Sequence, residues 1–393
     1  MKILYYSPHP HLKLKEPTGY GTHMREMINA FRSLGHDVFP LIMEGDKKIV
    51  NSYNKNKNSL NLKNVARLLT PRIIWETTRD YNLLRLDRKY TDILSKKINE
   101  IKPDLIYERA NYMQLSGVTA AQKFGIHHII EMNSPYVELR RTLSSRSFLE
   151  GKAAQIERIQ LENTNKIAIV SSALMNHFIE KYNIDAKNFI ITPMGINPDS
   201  IKTDEHKIQE LKYNYNLNDK FVIGFVGSVF KWHGIDMLIK AFVPVLKREP
   251  TARLMIVGGG SQLEFLRKMA KDISVYDNII FTGFIPHEMI YNYISLMDIT
   301  VLPNSHWWGI PVKIFEYGAL GKPIIAPNIS TITDVMVNGK DGILIEPHID
   351  ELIDSIRYLI ENKEVCNSIG NNFKDKVYSK FKWEKIASDI IQS

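Results

Sequence analysis

The chain has 393 residues and a mass of 45.4 kDa, too long for one ordinary core and suited to two domains of about 150 to 200 residues each. With 44% hydrophobic and 24% charged residues, it has the composition of a folded soluble protein and not of a disordered one. The basic excess sits in the first half: residues 1–200 hold 29 Lys+Arg against 20 Asp+Glu, whereas residues 201–393 hold 22 against 23, a distribution that suits either attraction of anionic partners or a plain solvated basic surface.

The first half opens with a strand at Lys2 to Tyr6 and a loop rich in Pro and His that ends in Thr18-Gly19-Tyr20-Gly21-Thr22. Met24, Met27, Ile28, Phe31 and Leu34 then recur at helical spacing until Gly35, and Val38 to Met43 reads as the next strand. Residues 46–64, rich in Asn and Lys, read as a loop. Residues 65–100 read as a helix with basic and apolar residues interleaved. Strand Leu105 to Tyr107, helix 114–124, strand His128 to Met132, helix 148–163, strand Lys166 to Val170, helix 172–182 and strand Asn188 to Thr192 complete this half. Gly195-Ile196-Asn197-Pro198 and a polar stretch break the pattern and place a boundary near 195–220.

The second half repeats the rhythm. Strands are expected at Phe221 to Val226, Arg253 to Val257, Asn278 to Thr282, Ile299 to Leu302 and Pro323 to Ala326. Helices are expected over 234–248, 262–271, 287–297, 311–320, 349–361 and 364–379, with a last one from about Trp383. Strand-helix alternation of this kind builds parallel sheets, so the chain reads as α/β, with two facing Rossmann-like, doubly wound domains. Ligands in such sheets sit at the carboxyl ends of the strands.

Several function classes are disfavoured. One cysteine, Cys366, can form neither an internal disulfide nor a Cys-rich zinc site, and points to a reducing, cytoplasmic setting. No apolar run approaches the ~18 residues of a membrane span. The start, MKILYYSPHP, lacks a signal peptide's long apolar region. There is no D-x-D, H-E-x-x-H or G-x-S-x-G, and Gly258-Gly259-Gly260-Ser261-Gln262-Leu263 ends in Leu where a dinucleotide fingerprint needs Gly. A pI near 9.1 without a nucleic-acid motif gives no case for nucleic acid.

The most informative segment is Trp308-Gly309-Ile310-Pro311-Val312-Lys313-Ile314-Phe315-Glu316-Tyr317-Gly318-Ala319-Leu320-Gly321-Lys322-Pro323. A strand runs into a loop and then a helix near Pro311. The amides of Val312 and Lys313 would point out of a positive helix end, an anion site suited to a diphosphate. Lys313 adds charge, and Glu316, one turn on, can accept hydrogen bonds from a ribose diol. An ordinary amphipathic helix with Glu316 near its dipole end is the alternative.

This segment resembles the signature of family 4 retaining glycosyltransferases with the GT-B fold, in a P-x-K-x-x-E-Y variant. The resemblance extends over most of the chain. Gly19-Tyr20-Gly21-Thr22-His23 with Leu34-Gly35-His36-Asp37-Val38 is similar to the family's N-terminal glycine loop, helix and G-H-x-V. Pro193-Met194-Gly195-Ile196-Asn197 resembles its P-N-G-V-D, and Gly227-Ser228-Val229-Phe230-Lys231-Trp232-His233-Gly234 its phosphate-facing loop. Val257-Gly258-Gly259-Gly260 and Phe281-Thr282-Gly283-Phe284-Ile285-Pro286 resemble its base-contacting loops.

The resemblance implies an acceptor-binding domain over 1–197, a nucleotide-sugar-binding domain over 198–375, and a helix over 376–393 that crosses back. It implies metal-independent transfer from a nucleotide diphosphate sugar, UDP-sugar favoured, with retention. The acceptor would be a glycan or a lipid-linked molecule, in bacterial cell-surface polysaccharide or glycoconjugate synthesis. Lys231, His233, Lys313 and Glu316 would form the catalytic set. Gly21, Gly227, Ser228, Gly258, Gly259, Phe284, Ile285, Asn304, Trp308, Gly309, Ile310, Pro311 and Val312 would bind the donor. On the first domain, Glu108, Arg109, Asn133, Tyr136, Glu138, Arg140 and Arg141, read as loop residues after strands, are the acceptor candidates, with ordinary salt bridges as the plain alternative for each. No cofactor or metal is expected.

This sequence also departs from the family. The first Glu of the E-x7-E pair is Trp308, which can stack on a sugar but cannot accept a hydrogen bond. The phosphate-binding Arg and Lys fall near Ser228 and His233, leaving Lys231 and Lys313 as replacements and His233 as a hydrogen-bond donor. The N-domain His falls near Asn133. These departures suggest a rival function, a non-catalytic sugar-nucleotide-binding partner subunit. Residues 65–88, with Leu68, Leu69, Ile73, Ile74, Trp75 and Leu83 beside Arg67, Arg72, Arg79 and Arg85, suit either an anionic membrane at the inner face or an amphipathic helix packed on the core.

Overall fold

Continuous apolar runs bounded by turns make strands that are buried on both faces, and both halves of the chain are built on them. The computed structural model describes residues 1–15, 19–44, 71–143 and 146–393. Two compact units emerge, Met1–Thr192 with Ile386–Ser393, and Pro193–Lys385.

The first unit holds β1 (Lys2–Ser7), β2 (Asp37–Ile42), β3 (Leu105–Arg109), β4 (His127–Met132), β5 (Lys166–Ile169) and β6 (Phe189–Ile191). They form one parallel sheet in the order β2-β1-β3-β4-β5-β6. The second unit holds β7 (Phe221–Val226), β8 (Ala252–Val257), β9 (Ile279–Gly283), β10 (Ile299–Val301), β11 (Ile324–Pro327) and β12 (Ile343–Ile345). Its parallel order is β12-β11-β10-β7-β8-β9. Strand order reverses between β1 and β3 in one unit and between β7 and β10 in the other. The carboxyl ends of those strands are therefore the crevices where ligands settle. These are two Rossmann-like units, as the alternation predicts.

Burial follows the pattern. Ile3, Leu4, Tyr5 and Tyr6 of β1 and Phe225 of β7 are enclosed, each contributing roughly 1.5–3 kcal/mol if transferred fully from water. In the second unit the helix Val312–Ala319 is held against β7 by the Tyr317 hydroxyl, which accepts a hydrogen bond from the Val226 amide at 2.7 Å. Phe315 of the same helix meets Phe381 edge-on, with ring centroids 5.1 Å apart.

Four elements differ from the sequence reading. Tyr136–Leu143 is a helix, with Glu138 in its first turn and Arg140 and Arg141 in its last, the arrangement a helix dipole favours. Glu205–Asn214 is a helix inside the polar stretch near the boundary. Asp204 caps it by accepting from the Lys207 amide, but only Ile208 and Leu211 are buried, too few to show a period. The three-residue β12 and the four-residue helix Ser330–Thr333 are likewise too short to show one. The helix expected over 65–100 runs Arg72–Ile101; residues 65–70, the loop expected over 46–64 and Thr18 lie outside the described residues. Tyr90, Leu94, Ile98 and Ile101 bury the second half of that helix, while Ile74 and Trp75 in its first half are 45% and 38% exposed. Among the described residues no helix is long and apolar enough to cross a membrane.

Candidate active site

At the carboxyl end of the second unit's sheet, three loops are laced together by their backbones. The Gly227 amide donates to Val257 O (2.9 Å), the Val229 amide to Gly259 O (2.9 Å) and the Gly258 amide to Gly283 O (3.0 Å). The close approach requires glycine. Gly258 has φ +131°, and a Cβ there would lie 2.1 Å from Gly227 O. The strand-helix loops therefore present backbone to the crevice.

The helix Val312–Ala319 begins beside these loops. Pro311 is its N-cap, with φ −68° and ψ 128°, so the first helical residue is Val312, one later than expected. The Ile314 amide already bonds Pro311 O at 3.1 Å; the amides of Val312 and Lys313 precede the first intrahelical acceptor. The Lys313 side chain turns into the end of β7. Only 8% of the residue is exposed, and Nζ lies 4.1 Å from the centroid of the Phe225 ring. Among the described residues no carboxylate pairs with it. Burial pulls its ammonium down to about 7, and Glu316 offsets only part of that.

Glu316 is buried and faces His287 Nε2 at 3.1 Å. His233 is buried, with Nδ1 2.7 Å from Ser228 O and Nε2 3.4 Å from Lys313 Nζ. Both ring nitrogens are thus occupied within the unit, which replaces the expectation of His233 as a free donor. Burial, reinforced by Lys313, pushes His233 down to about 3, so it is neutral at ordinary pH. Lys231 and Ser228 are exposed, and the Asn304 amide donates to His233 O at 3.2 Å. Trp308 lies stacked on His306, ring centroids 4.4 Å apart, and His306 reaches Trp232 at 4.9 Å. Phe284 is 82% exposed on the loop after β9, with Ile285 beside it. Gly309 and Ile310 complete the loop leading to Pro311.

In the first unit, Gly21 lies in the opening turn of the helix Gly19–Ser33. The carboxyl ends of β3 and β4 carry a second charged cluster. Glu131 Oε1 takes Arg109 Nη1 at 2.9 Å, His23 Nε2 at 2.9 Å and Asn133 Nδ2 at 2.6 Å. Burial by itself would raise this carboxyl; His23 and then Arg109 outweigh it and hold Glu131 at about 2. The Tyr136 hydroxyl donates to Ala110 O at 2.8 Å.

The loop placement of the acceptor candidates is corrected. Glu108 and Arg109 are strand residues of β3. Glu108 is enclosed and bonded to His128 Nε2 at 2.9 Å, facing away from solvent. Tyr136, Glu138, Arg140 and Arg141 are helical. Glu138 pairs with Lys181 at 2.7 Å, Arg140 with Glu76 and Asp80, and Arg141 with Glu150. Only Asn133 among the candidates lies on a loop after a strand. The sequence reading passed over Phe225, His287, His306, Tyr317, His23 and Glu131. His23 and Tyr317 stood inside quoted motifs; the others had no signal apart from ordinary strand, helix or loop composition.

Two Rossmann-like units, with a helix tip suited to a diphosphate on one of them, define the GT-B class of architecture. The sequence profile described as glycosyl transferases group 1 matches residues 207–376, and that of Glycosyltransferase Family 4 matches residues 17–200. The chain belongs to glycosyltransferase family 4. It is similar to a GDP-mannose-dependent alpha-(1-6)-phosphatidylinositol monomannoside mannosyltransferase of Mycobacterium tuberculosis, 25% identical over 236 residues, or 58% of this chain and 61% of that one. It is also similar to the capsular polysaccharide biosynthesis glycosyltransferase CapM of Staphylococcus aureus, 28% identical over 250 residues, 59% of this chain and 63% of that one. The matched segment spans about three fifths of these curated relatives. Among solved structures, Anabaena HepE in complex with UDP shares the fold, with TM-score 0.74, 17% identity and coverage of 100% of this chain and 99% of that one.

Proposed function

We propose that this chain is a retaining glycosyltransferase that moves a sugar from a nucleotide diphosphate sugar, UDP-sugar favoured, to a glycan or lipid-linked acceptor. The process would be bacterial cell-surface polysaccharide or glycoconjugate synthesis at the cytoplasmic face of the membrane. The observation that carries this reading is Lys313, a buried amine that pairs with no carboxylate among the described residues, beside the opening amides of a helix at the strand-order switch. HepE crystallised with UDP and the capsular role in CapM's name support it by likeness.

Departure of a nucleoside diphosphate builds negative charge on its β-phosphate, and preorganised positive groups there lower the barrier most. Lys313, the amides of Val312 and Lys313, and Lys231 supply them, and the absence of D-x-D from the sequence fits a metal-independent route. Glu316, held by His287, accepts from the ribose hydroxyls. The leaving phosphate takes the acceptor's proton on the same face, so no second carboxylate is needed, unlike a glycosidase pair. Asn133, its amide nitrogen tied to Glu131, offers its oxygen to substrate on the first unit. Ile74 and Trp75, beside Arg72 and Arg79, are where an anionic membrane carrying a lipid-linked acceptor would touch.

Donor turnover followed with isotope-labelled UDP- and GDP-sugars, with and without cell extract as acceptor source, tests the reading. Nucleotide release that depends on acceptor, with the anomeric configuration kept, is the expected result. Binding of nucleotide sugar without turnover under any acceptor would favour the non-catalytic partner subunit, the role that Trp308 and Ser228 suggest.

A further inference from the structure

His233 has a defined tautomer. Its Nδ1 lies 2.7 Å from the Ser228 carbonyl oxygen, which can only accept, so Nδ1 carries the proton. Nε2 is therefore an acceptor, and the Lys313 ammonium approaches it at 3.4 Å. The Phe225 ring lies 4.1 Å from the same ammonium and 5.5 Å from the His233 ring. Gly227, φ +128°, leaves the third side open: a Cβ there would stand 2.7 Å from Nζ. An aromatic face and a neutral imidazole thus flank the end of a flexible side chain, and a bare glycine leaves room for it. The other titratable groups around it are His306, from the loop after β10, and Glu316 on its own helix, itself engaged by His287. None of these offers a carboxylate in contact with Nζ.

Resting on the donor-site reading above, we propose that His233 is a positioning residue that aims Lys313 without touching the donor, and that Lys313 takes up a proton from solvent as the diphosphate binds. The neutral amine gains one N–H and meets the phosphate as an ammonium. Geometry supports the first part, since His233 has no ring nitrogen left for a phosphate. Burial supports the second, since it brings Lys313 down to about 7 and an incoming polyanion reverses that effect. The sign follows from linkage. Above pH 7 the empty site is increasingly neutral and binding must import the proton, so affinity falls as pH rises.

The test is calorimetry of UDP and of GDP at pH 8 in buffers of different ionisation enthalpy. Wild type should take up about 0.5 to 1 proton, and affinity should weaken about tenfold per pH unit from pH 7.5 to 9. Lys313→Arg should bind with no uptake and little pH dependence, because guanidinium stays charged. His233→Leu should weaken binding about tenfold and His233→Gln, whose Oε1 can accept, should recover most of it. In a Lys313→Met background, His233→Leu should cost nothing further. Absence of proton uptake, or an equal His233→Leu loss in the Lys313→Met background, overturns the proposal. If wild type bound neither nucleotide, the donor-site reading itself would fall. The lysine is then judged by NMR of the 13C-lysine-labelled chain: a resonance missing in Lys313→Arg that titrates near 7 upholds the proton step, and one titrating above about 10 refutes it.

Discussion

The carboxyl ends of the two sheets handle buried charge in opposite ways. In the first unit, Glu131 is surrounded by Arg109, His23 and Asn133, so its charge is balanced inside the protein. In the second, Lys313 is also buried, and among the described residues it lies against a ring face and a neutral imidazole and pairs with no carboxylate. A buried charge with internal partners organises structure. One without them is costly until a ligand supplies the counter-charge, which is why the donor is assigned to the second unit.

The contrast can be broken from either side. The largest expected effect is Glu131→Gln, which leaves Arg109 and His23 without their anion and should lower stability by about 3–5 kcal/mol in urea unfolding at pH 7. A loss under about 1 kcal/mol would mean that the cluster is not the structural element proposed. The pH dependence has a matching sign. Glu131 is held at about 2, below its unfolded value, so its contribution is complete above the ordinary carboxyl range and is lost as pH falls towards 2. Glu131→Gln should flatten that acid limb. Next comes Lys313→Met, expected to cut donor turnover by about 10²–10³ while stability holds or rises. A destabilised but active variant would reverse the roles of the two regions. Glu316→Ala should weaken nucleotide binding about tenfold with little change in unfolding; unchanged affinity would count against the ribose role. The smallest effect concerns the first unit's surface. Trp75→Ser should reduce sedimentation with anionic vesicles a few-fold, and wild type that ignores such vesicles at any salt would remove the membrane contact.

The strand-helix rhythm made nearly every long element legible, because buried parallel strands and amphipathic helices both leave periodic traces. Short elements such as Ile343–Ile345, and a helix with two buried residues such as Glu205–Asn214, leave none. The segment Pro311 to Glu316 stands out as a candidate anion site because the proline, lysine and glutamate are close in sequence. What surrounds Lys313 does not. Phe225 comes from β7, far earlier in the chain, and nothing in one sequence pairs it with that lysine; His233 is grouped with Lys313 through the family resemblance, but its contact with Nζ has no trace in the sequence. Glu108 was misplaced for the same reason: a glutamate at a strand end looks exposed until His128 on the neighbouring strand is seen beside it.

The most direct test is a crystal structure with UDP or GDP bound. The account predicts the β-phosphate within about 3 Å of Lys313 Nζ and of the Val312 or Lys313 amide. Nucleotide held elsewhere, with Lys313 still packed on Phe225 and its amides turned to solvent, would contradict it.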